Sequence, residues 1–150
     1  MSAPFPPVAE LIPHAGPMRL VESVLAHEPD ATRCLVDPSR SALFRDGGAL
    51  VPVWVGLEYM AQCVAVHAGL RARARGEALR PGLFLGSRRV RFRCAGFAPA
   101  LPLEVTARHA AGRGATLAFD CAVHDPDGGA PLVEARLTVR ALTDPAEAAP

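Results

Sequence analysis

The stretch from Trp54 to Leu70, W-V-G-L-E-Y-M-A-Q-C-V-A-V-H-A-G-L, constrains this chain more than any other. It is apolar almost all the way round at helical spacing, the pattern of a helix covered on every side rather than along one stripe. At 1.5 Å per residue it forms a rod of roughly 25 Å. A membrane span needs about 20 apolar residues with few or no charges, whereas this stretch carries Glu58 and Gln62 near its start. The sequence therefore predicts a core helix of a soluble protein, from Trp54 to about Arg73. Glu58 is its anomaly. An ionised, unpaired carboxylate buried there costs several kcal/mol, so it requires a partner, a cleft or a proton of its own. Gln62 lies one turn further on the same face, within reach of a hydrogen bond to it.

Composition narrows the possibilities. A chain of 150 residues supports one domain with a real core and not two. Half the residues are apolar and the formal net charge is +1, which argues against a nucleic-acid-binding protein. Lys and Asn are absent and Ala, Arg and Pro abundant, the signature of a GC-rich genome, so the arginine count carries little weight. Cys34, Cys63, Cys94 and Cys121 stand far apart with no C-x-x-C, which argues against a structural metal site. Three of them on predicted strands and one in the helix suggest reduced, buried thiols and a cytoplasmic protein. The opening M-S-A-P-F-P-P has neither a basic nor an apolar leader region.

In chain order, residues 1–7 read as a loose, proline-rich segment and Val8 to Ile12 as a short helical or turn segment. Pro13-His14-Ala15-Gly16-Pro17-Met18 follows, a rigid turn in which two prolines fix the backbone around one histidine. Arg19 to Glu28 and Ala31 to Asp37 read as strands, and Pro38 to Val51 as a loop. Pro52 suits the start of the helix, where its missing N–H costs nothing. Beyond the helix the period switches to two, in Leu83 to Cys94, Leu101 to His109, Ala115 to His124 and Leu132 to Leu142. Asp125-Pro126-Asp127-Gly128-Gly129 is a strong turn. Residues 8–142 form the predicted domain and 143–150 a frayed tail.

A sheet with one apolar face needs a cover, and the one long apolar object is the helix. The predicted class is α+β: an antiparallel sheet of five or six strands wrapped round a single central helix, the hot-dog architecture.

Two motifs then carry a resemblance. Pro13-His14-Ala15-Gly16-Pro17-Met18, followed by Glu58-Tyr59-Met60-Ala61-Gln62 in the helix, resembles the 3-hydroxyacyl-[acyl carrier protein] dehydratases of fatty acid and polyketide synthesis. The run from Trp54 to Gln62 is most similar to the small bacterial branch associated with aryl polyene biosynthesis. The resemblance spans roughly Val8 to Val139. It departs at Pro52-Val53, where the family usually has Pro-Gly, and at Ala98-Pro99-Ala100-Leu101-Pro102, which replaces a Pro-Gly-Asp turn. A valine keeps the backbone N–H of the usual glycine but narrows the tunnel mouth.

Removing water from a 3-hydroxyacyl thioester needs a base at the C2 proton, an acid at the C3 hydroxyl and donors at the carbonyl oxygen. The resemblance assigns His14 as base and Glu58 as acid. First-turn N–H groups at Val53, Trp54 and Val55 are unsatisfied donors at a positive dipole end. With Gln62 and Gly86 these complete the expected substrate-binding set. Arg88 and Arg89, in an arginine cluster after the helix, are candidates for holding an acidic acyl carrier protein with its phosphopantetheine arm. The resemblance further implies a homodimer or heterodimer in which the histidine and the carboxylate meet from different subunits. It implies no cofactor or metal.

Each residue also has a plainer reading. His14 alone is a turn histidine bonded to local backbone, and Glu58 alone a rim carboxylate paired with an arginine. His67 reads as a packed core or interface histidine, and His27, His109 and His124 as solvated. Tyr59 and Met60 read as core. Two other functions stay open: a hot-dog acyl thioesterase, and a non-catalytic or partner-dependent subunit of a mixed dehydratase dimer.

Overall fold

The computed structural model describes residues 4–142; the expected tail over 143–150 lies outside them. The central helix, α1, spans Val55–Ala74. Eight strands accompany it: β1 (Val21–Glu28), β2 (Ala31–Val36), β3 (Val51–Pro52), β4 (Gly82–Phe92), β5 (Gly96–Phe97), β6 (Leu103–Ala111), β7 (Thr116–His124) and β8 (Val133–Ala141). Six form one antiparallel sheet in the order β1-β2-β6-β7-β8-β4. This sheet curls round α1, which packs on β1, β2, β6, β7 and β8. The expected hot-dog arrangement is what the chain forms.

The two-residue period explains which faces meet. Val105 and Ala107 on β6, Phe119, Cys121 and Val123 on β7, and Val133, Ala135 and Leu137 on β8 all point inward and are buried. Against them α1 buries Val55, Tyr59, Met60, Cys63, Val64, Val66 and Leu70. A fully buried side chain of this size contributes about 1.5–3 kcal/mol, so the helix is the main anchor of the fold. It is not covered on every side, however. Leu57, Glu58, Ala61 and Ala65 form a half-buried stripe at steps of three and four residues. At its far end the N-terminal segment crosses closely over Gly69, where a Cβ would collide with the Leu11 carbonyl oxygen.

Several expectations shift. Trp54 is not inside the helix but at its N-cap. The segment expected as a loop from Pro38 to Val51 contains a 3-10 stretch, Pro38–Phe44, started by the Asp37 side chain accepting from the Ser39 N–H at 3.0 Å. Ser41 in that stretch is buried and its hydroxyl meets the Tyr59 hydroxyl at 2.7 Å. β3 and β5, two residues each, pair only with one another and are too short to leave a periodic signal. β4 carries irregular register between Phe84 and Gly86 and between Arg88 and Arg91. Cys94 lies beyond β4 and is half-buried, while Cys34, Cys63 and Cys121 are buried free thiols.

Candidate active site

The Pro13-to-Met18 turn reaches its place through Gly16, whose φ of +56° suits a residue without a Cβ. A 3-10 turn, Gly16–Met18, follows and delivers the chain into β1. Gln62 then fastens this segment to α1. Its side-chain oxygen accepts the backbone N–H of Leu20 at 2.8 Å and of Val21 at 3.3 Å. Its amide nitrogen donates to the Met18 carbonyl at 2.7 Å and to Glu58 Oε1 at 2.9 Å. Every donor of this fully buried amide is used.

That clamp sets His14 over the start of the helix. His14 Nε2 stands 3.7 Å from Glu58 Oε1, and the two side chains are 29% and 38% exposed. The gap is too wide for a direct hydrogen bond and leaves both groups open to a third molecule. Among the described residues, His14 Nδ1 is the one buried side-chain polar atom without a partner. The pair lies within one chain, and this corrects the expectation that His14 and Glu58 meet across two subunits. The physical reason is Gln62, one turn beyond Glu58, which hydrogen-bonds the backbone on the strand side of the His14 turn and folds that turn back over its own helix. Nor is Glu58 sunk in an apolar interior; it sits at the rim, facing a histidine rather than an arginine.

The helix start adds donors. Trp54 caps α1 without a side-chain hydrogen bond. Among the described residues nothing accepts the N–H groups of Val53, Trp54 and Val55. With the helix dipole they form a small positive site one turn before Glu58. Trp54 is 54% exposed, edge-on to Phe44 at 5.8 Å between centroids. Leu43, Leu50 and Met18 are other exposed large apolar side chains. Val53 is half-buried and Val55 wholly buried, so Val55 can offer a substrate only its backbone. Gln62 is likewise buried, standing behind the carboxylate. Gly86, Arg88 and Arg89 lie elsewhere, on β4, the sheet edge opposite β1, and a single chain does not gather them with the pair.

A polar cluster deeper under the sheet escaped the sequence reading. Thr32 Oγ1 lies 2.8 Å from His27 Nδ1 and 2.7 Å from His67 Nδ1. His67 is a core histidine at 3% exposed; His27 is tied into this network rather than simply solvated. Burial first, then the charges of His27, Arg71 and His109, push His67 from its ordinary 6.5 down to about 4, and Asp30 opposes them. The only hint in the sequence was His67 on an apolar helix, which cannot name its partner on another element.

No group of three or more metal-ligating side chains exists among the described residues, and no helix there is long and apolar enough to cross a membrane. Comparison with curated protein sequences gives no match. Among solved structures, the dehydratase heterocomplex ApeI:P from Xenorhabdus doucetiae is similar at 27% identity, over 93% of each chain, with a TM-score of 0.86. The Escherichia coli PaaI protein of the phenylacetic acid degradation operon matches at 13% identity, over 79% of this chain and 81% of that one, with a TM-score of 0.60. The Streptococcus mutans protein smu.793, solved with acetyl CoA, matches at 10% identity over 80% and 87%, with a TM-score of 0.59. The last two likenesses speak for the fold alone. The ApeP dehydratase profile matches residues 6–149, and the chain belongs to the ApeP-like family.

Proposed function

We propose that the chain removes water from a 3-hydroxyacyl thioester, carried on an acyl carrier protein, to give the trans-2-enoyl thioester. The observation that carries this reading is the His14–Glu58 pair at 3.7 Å beside free N–H groups at the start of α1. The C2 hydrogen and the C3 oxygen of one substrate are neighbours across a single bond, so base and acid must sit within a few ångströms of each other. His14 Nε2 takes the C2 proton, and the C–H electrons form the C2=C3 double bond. Glu58, in its protonated form, gives its proton to the C3 hydroxyl, which leaves as water. The N–H groups of Val53, Trp54 and Val55 receive the charge that develops on the thioester oxygen. His14 is then protonated and Glu58 ionised, and one proton transfer between them, relayed by a water molecule in the gap, restores the site.

The reading includes a partner. Trp54, Leu43, Leu50 and Met18 are 54%, 63%, 43% and 44% exposed in the single chain. Such surface is ordinarily covered, and a second hot-dog subunit, as in the similar heterocomplex, would turn it into the wall of an apolar tunnel. The test is to assay the purified chain, alone and with such a subunit, against 3-hydroxyacyl, enoyl and plain acyl thioesters. Formation of enoyl product, and hydration of the enoyl thioester in reverse, are expected. Release of free thiol from plain acyl thioesters instead would make the protein a thioesterase.

A further inference from the structure

Alternation along the strands gives the sheet a second face, turned away from α1. That face carries an open groove of about 730 Å³. One row of side chains crosses it in register as Ala26, Arg33, Thr106, Ala122, Glu134 and Arg91, from β1 to β4. In the next row Ala31, Arg108, Asp120 and Arg136 stand side by side. Ala31, Thr106 and Ala122 are small, so the floor is low. Arg33 and Arg108 rise on one side of it, Arg91 and Arg136 on the other. Neighbouring strands are about 4.8 Å apart, so Arg108 on β6 and Arg136 on β8 start about 10 Å from each other across β7.

Charge in the groove is uneven. On the β2 side each arginine has its own carboxylate: Arg33 pairs with Glu104 at 3.7 Å and Arg108 with Asp30 at 3.2 Å. On β8, Arg136 donates two hydrogen bonds of 2.8 and 3.1 Å to Asp120. A guanidinium has five N–H donors, so this one is fixed in place with others still unused. At the β4 end cations are in surplus. Arg91 and Arg93 share the single carboxylate of Glu134. Arg89 makes no hydrogen bond or ion pair among the described residues. A bulge puts it there, because β4 advances three residues from Arg88 to Arg91 while β8 advances two from Arg136 to Glu134. The extra residue takes a φ of +53°, uncommon for a side chain of its size, and lines the groove. The Arg136 hydrogen bond first, and then the charges of Arg136 and Arg89, hold the Asp120 carboxyl below its ordinary range against partial burial. Arg89 thus stands beside the Asp120–Arg136 pair.

We propose that this groove binds a small organic phosphate of nucleotide size. Its phosphate groups lie among Arg89, Arg91 and Arg136, and the rest of the molecule lies over Thr106 and Ala122 towards Arg33. Planar guanidinium forks match phosphate oxygens two by two, and a dianion answers the cationic surplus at the β4 end. The Thr106 hydroxyl, without a partner among the described residues, adds a donor on the floor. The volume falls within the roughly 300–1,000 Å³ of small-molecule sites. The exposed rim pairs are individually weak and do not close it. Arg89 is exposed and adds nothing to the core, and backbone strain of its kind collects where a ligand is held. The sheet separates this groove from His14 and Glu58, so the inference stands apart from the reaction proposed above.

The experiment titrates ADP, inorganic pyrophosphate and adenosine into the full chain by calorimetry at low salt, with thermal melts in parallel. Two variants report on separate features. Arg89→Gly suits the left-handed backbone and removes the guanidinium. Ala122→Ile raises the floor with a strand-favouring side chain and leaves every charge in place. The wild type is expected to bind ADP and pyrophosphate with Kd below about 1 mM and to ignore adenosine. Both variants are expected to melt near the wild type yet bind ADP at least about tenfold more weakly, and to lose the rise in Tm that ADP gives the wild type. ADP binding equal in all three proteins, or absent from all three, would overturn the proposal. Loss in Arg89→Gly with full retention in Ala122→Ile would mean a charged surface without a groove, and overturns it too. An acidic acyl carrier protein is titrated as the control. Carrier binding without binding of the free phosphates would assign the arginines to carrier docking instead.

Discussion

At the residue scale the site turns on Gln62 and Glu58. Gln62 is buried and joins four groups: the Met18 carbonyl, the Leu20 and Val21 N–H groups and the Glu58 carboxylate. Replacing it by Leu strands buried backbone groups at roughly 1–3 kcal/mol each and frees the His14 turn. Gln62→Leu should therefore lower both Tm and kcat. Gln62→Glu offers the two strand N–H groups an oxygen but places a second carboxyl beside Glu58, so it should restore more stability than turnover. Equal recovery of both would show that Gln62 serves the fold alone. Glu58→Gln keeps shape and removes the acid. It should leave thermal stability near wild type and reduce turnover by about 10²-fold or more, measured on a 3-hydroxyacyl thioester; wild-type turnover would make Glu58 structural.

At the scale of elements, α1 was legible because a stretch of 17 residues that is apolar almost all the way round has few other fates. β6, β7 and β8 were legible because period-two alternation survives wherever one face is buried. β1 was harder to read: its register slips between Val21 and Ser23 and again between Val24 and Ala26, which breaks the alternation. β3 and β5 owe their pairing to chain neighbours brought together by the fold, and nothing local announces them. The motif residues His14, Glu58 and Gln62 could be picked out, but their joining within one chain depends on the clamp beneath the turn. The Thr32–His67 contact links β2 to α1 and was invisible for the same reason. It has a measurable consequence. His67 in the fold has its proton affinity lowered from 6.5 to about 4, so the unfolded chain binds that proton more readily. Its contribution is complete above pH 6.5 and is lost as the pH falls towards 4, a change on the order of 3 kcal/mol. His27, Arg71 and His109 face it and add to the cost of its charge, and Asp30 subtracts. Denaturant melts between pH 7 and 4 should show a steeper loss of stability for the wild type than for His67→Gln. Parallel curves would mean that His67 is protonated in the fold at no cost.

At the scale of the whole molecule, one helix and one curved sheet leave two features unfinished: an apolar mouth around Trp54 and the sheet edges β1 and β4, each paired on one side only. Both are ordinary for a subunit and costly for an isolated monomer, and the assembly with a partner subunit proposed above would cover them. What the chain brings to that assembly is its own His14–Glu58 pair. Mixing His14→Ala with Glu58→Gln chains tests this most directly, in the assay where the wild type turns over and with any partner subunit it requires. Native mass spectrometry establishes that both variants share one assembly. Each mutant chain then holds half a pair, and an intact pair cannot be assembled from two. The predicted result is no turnover above that of the separate variants; recovery of a substantial fraction of wild-type turnover would contradict it and place the reactive histidine and carboxylate on different subunits.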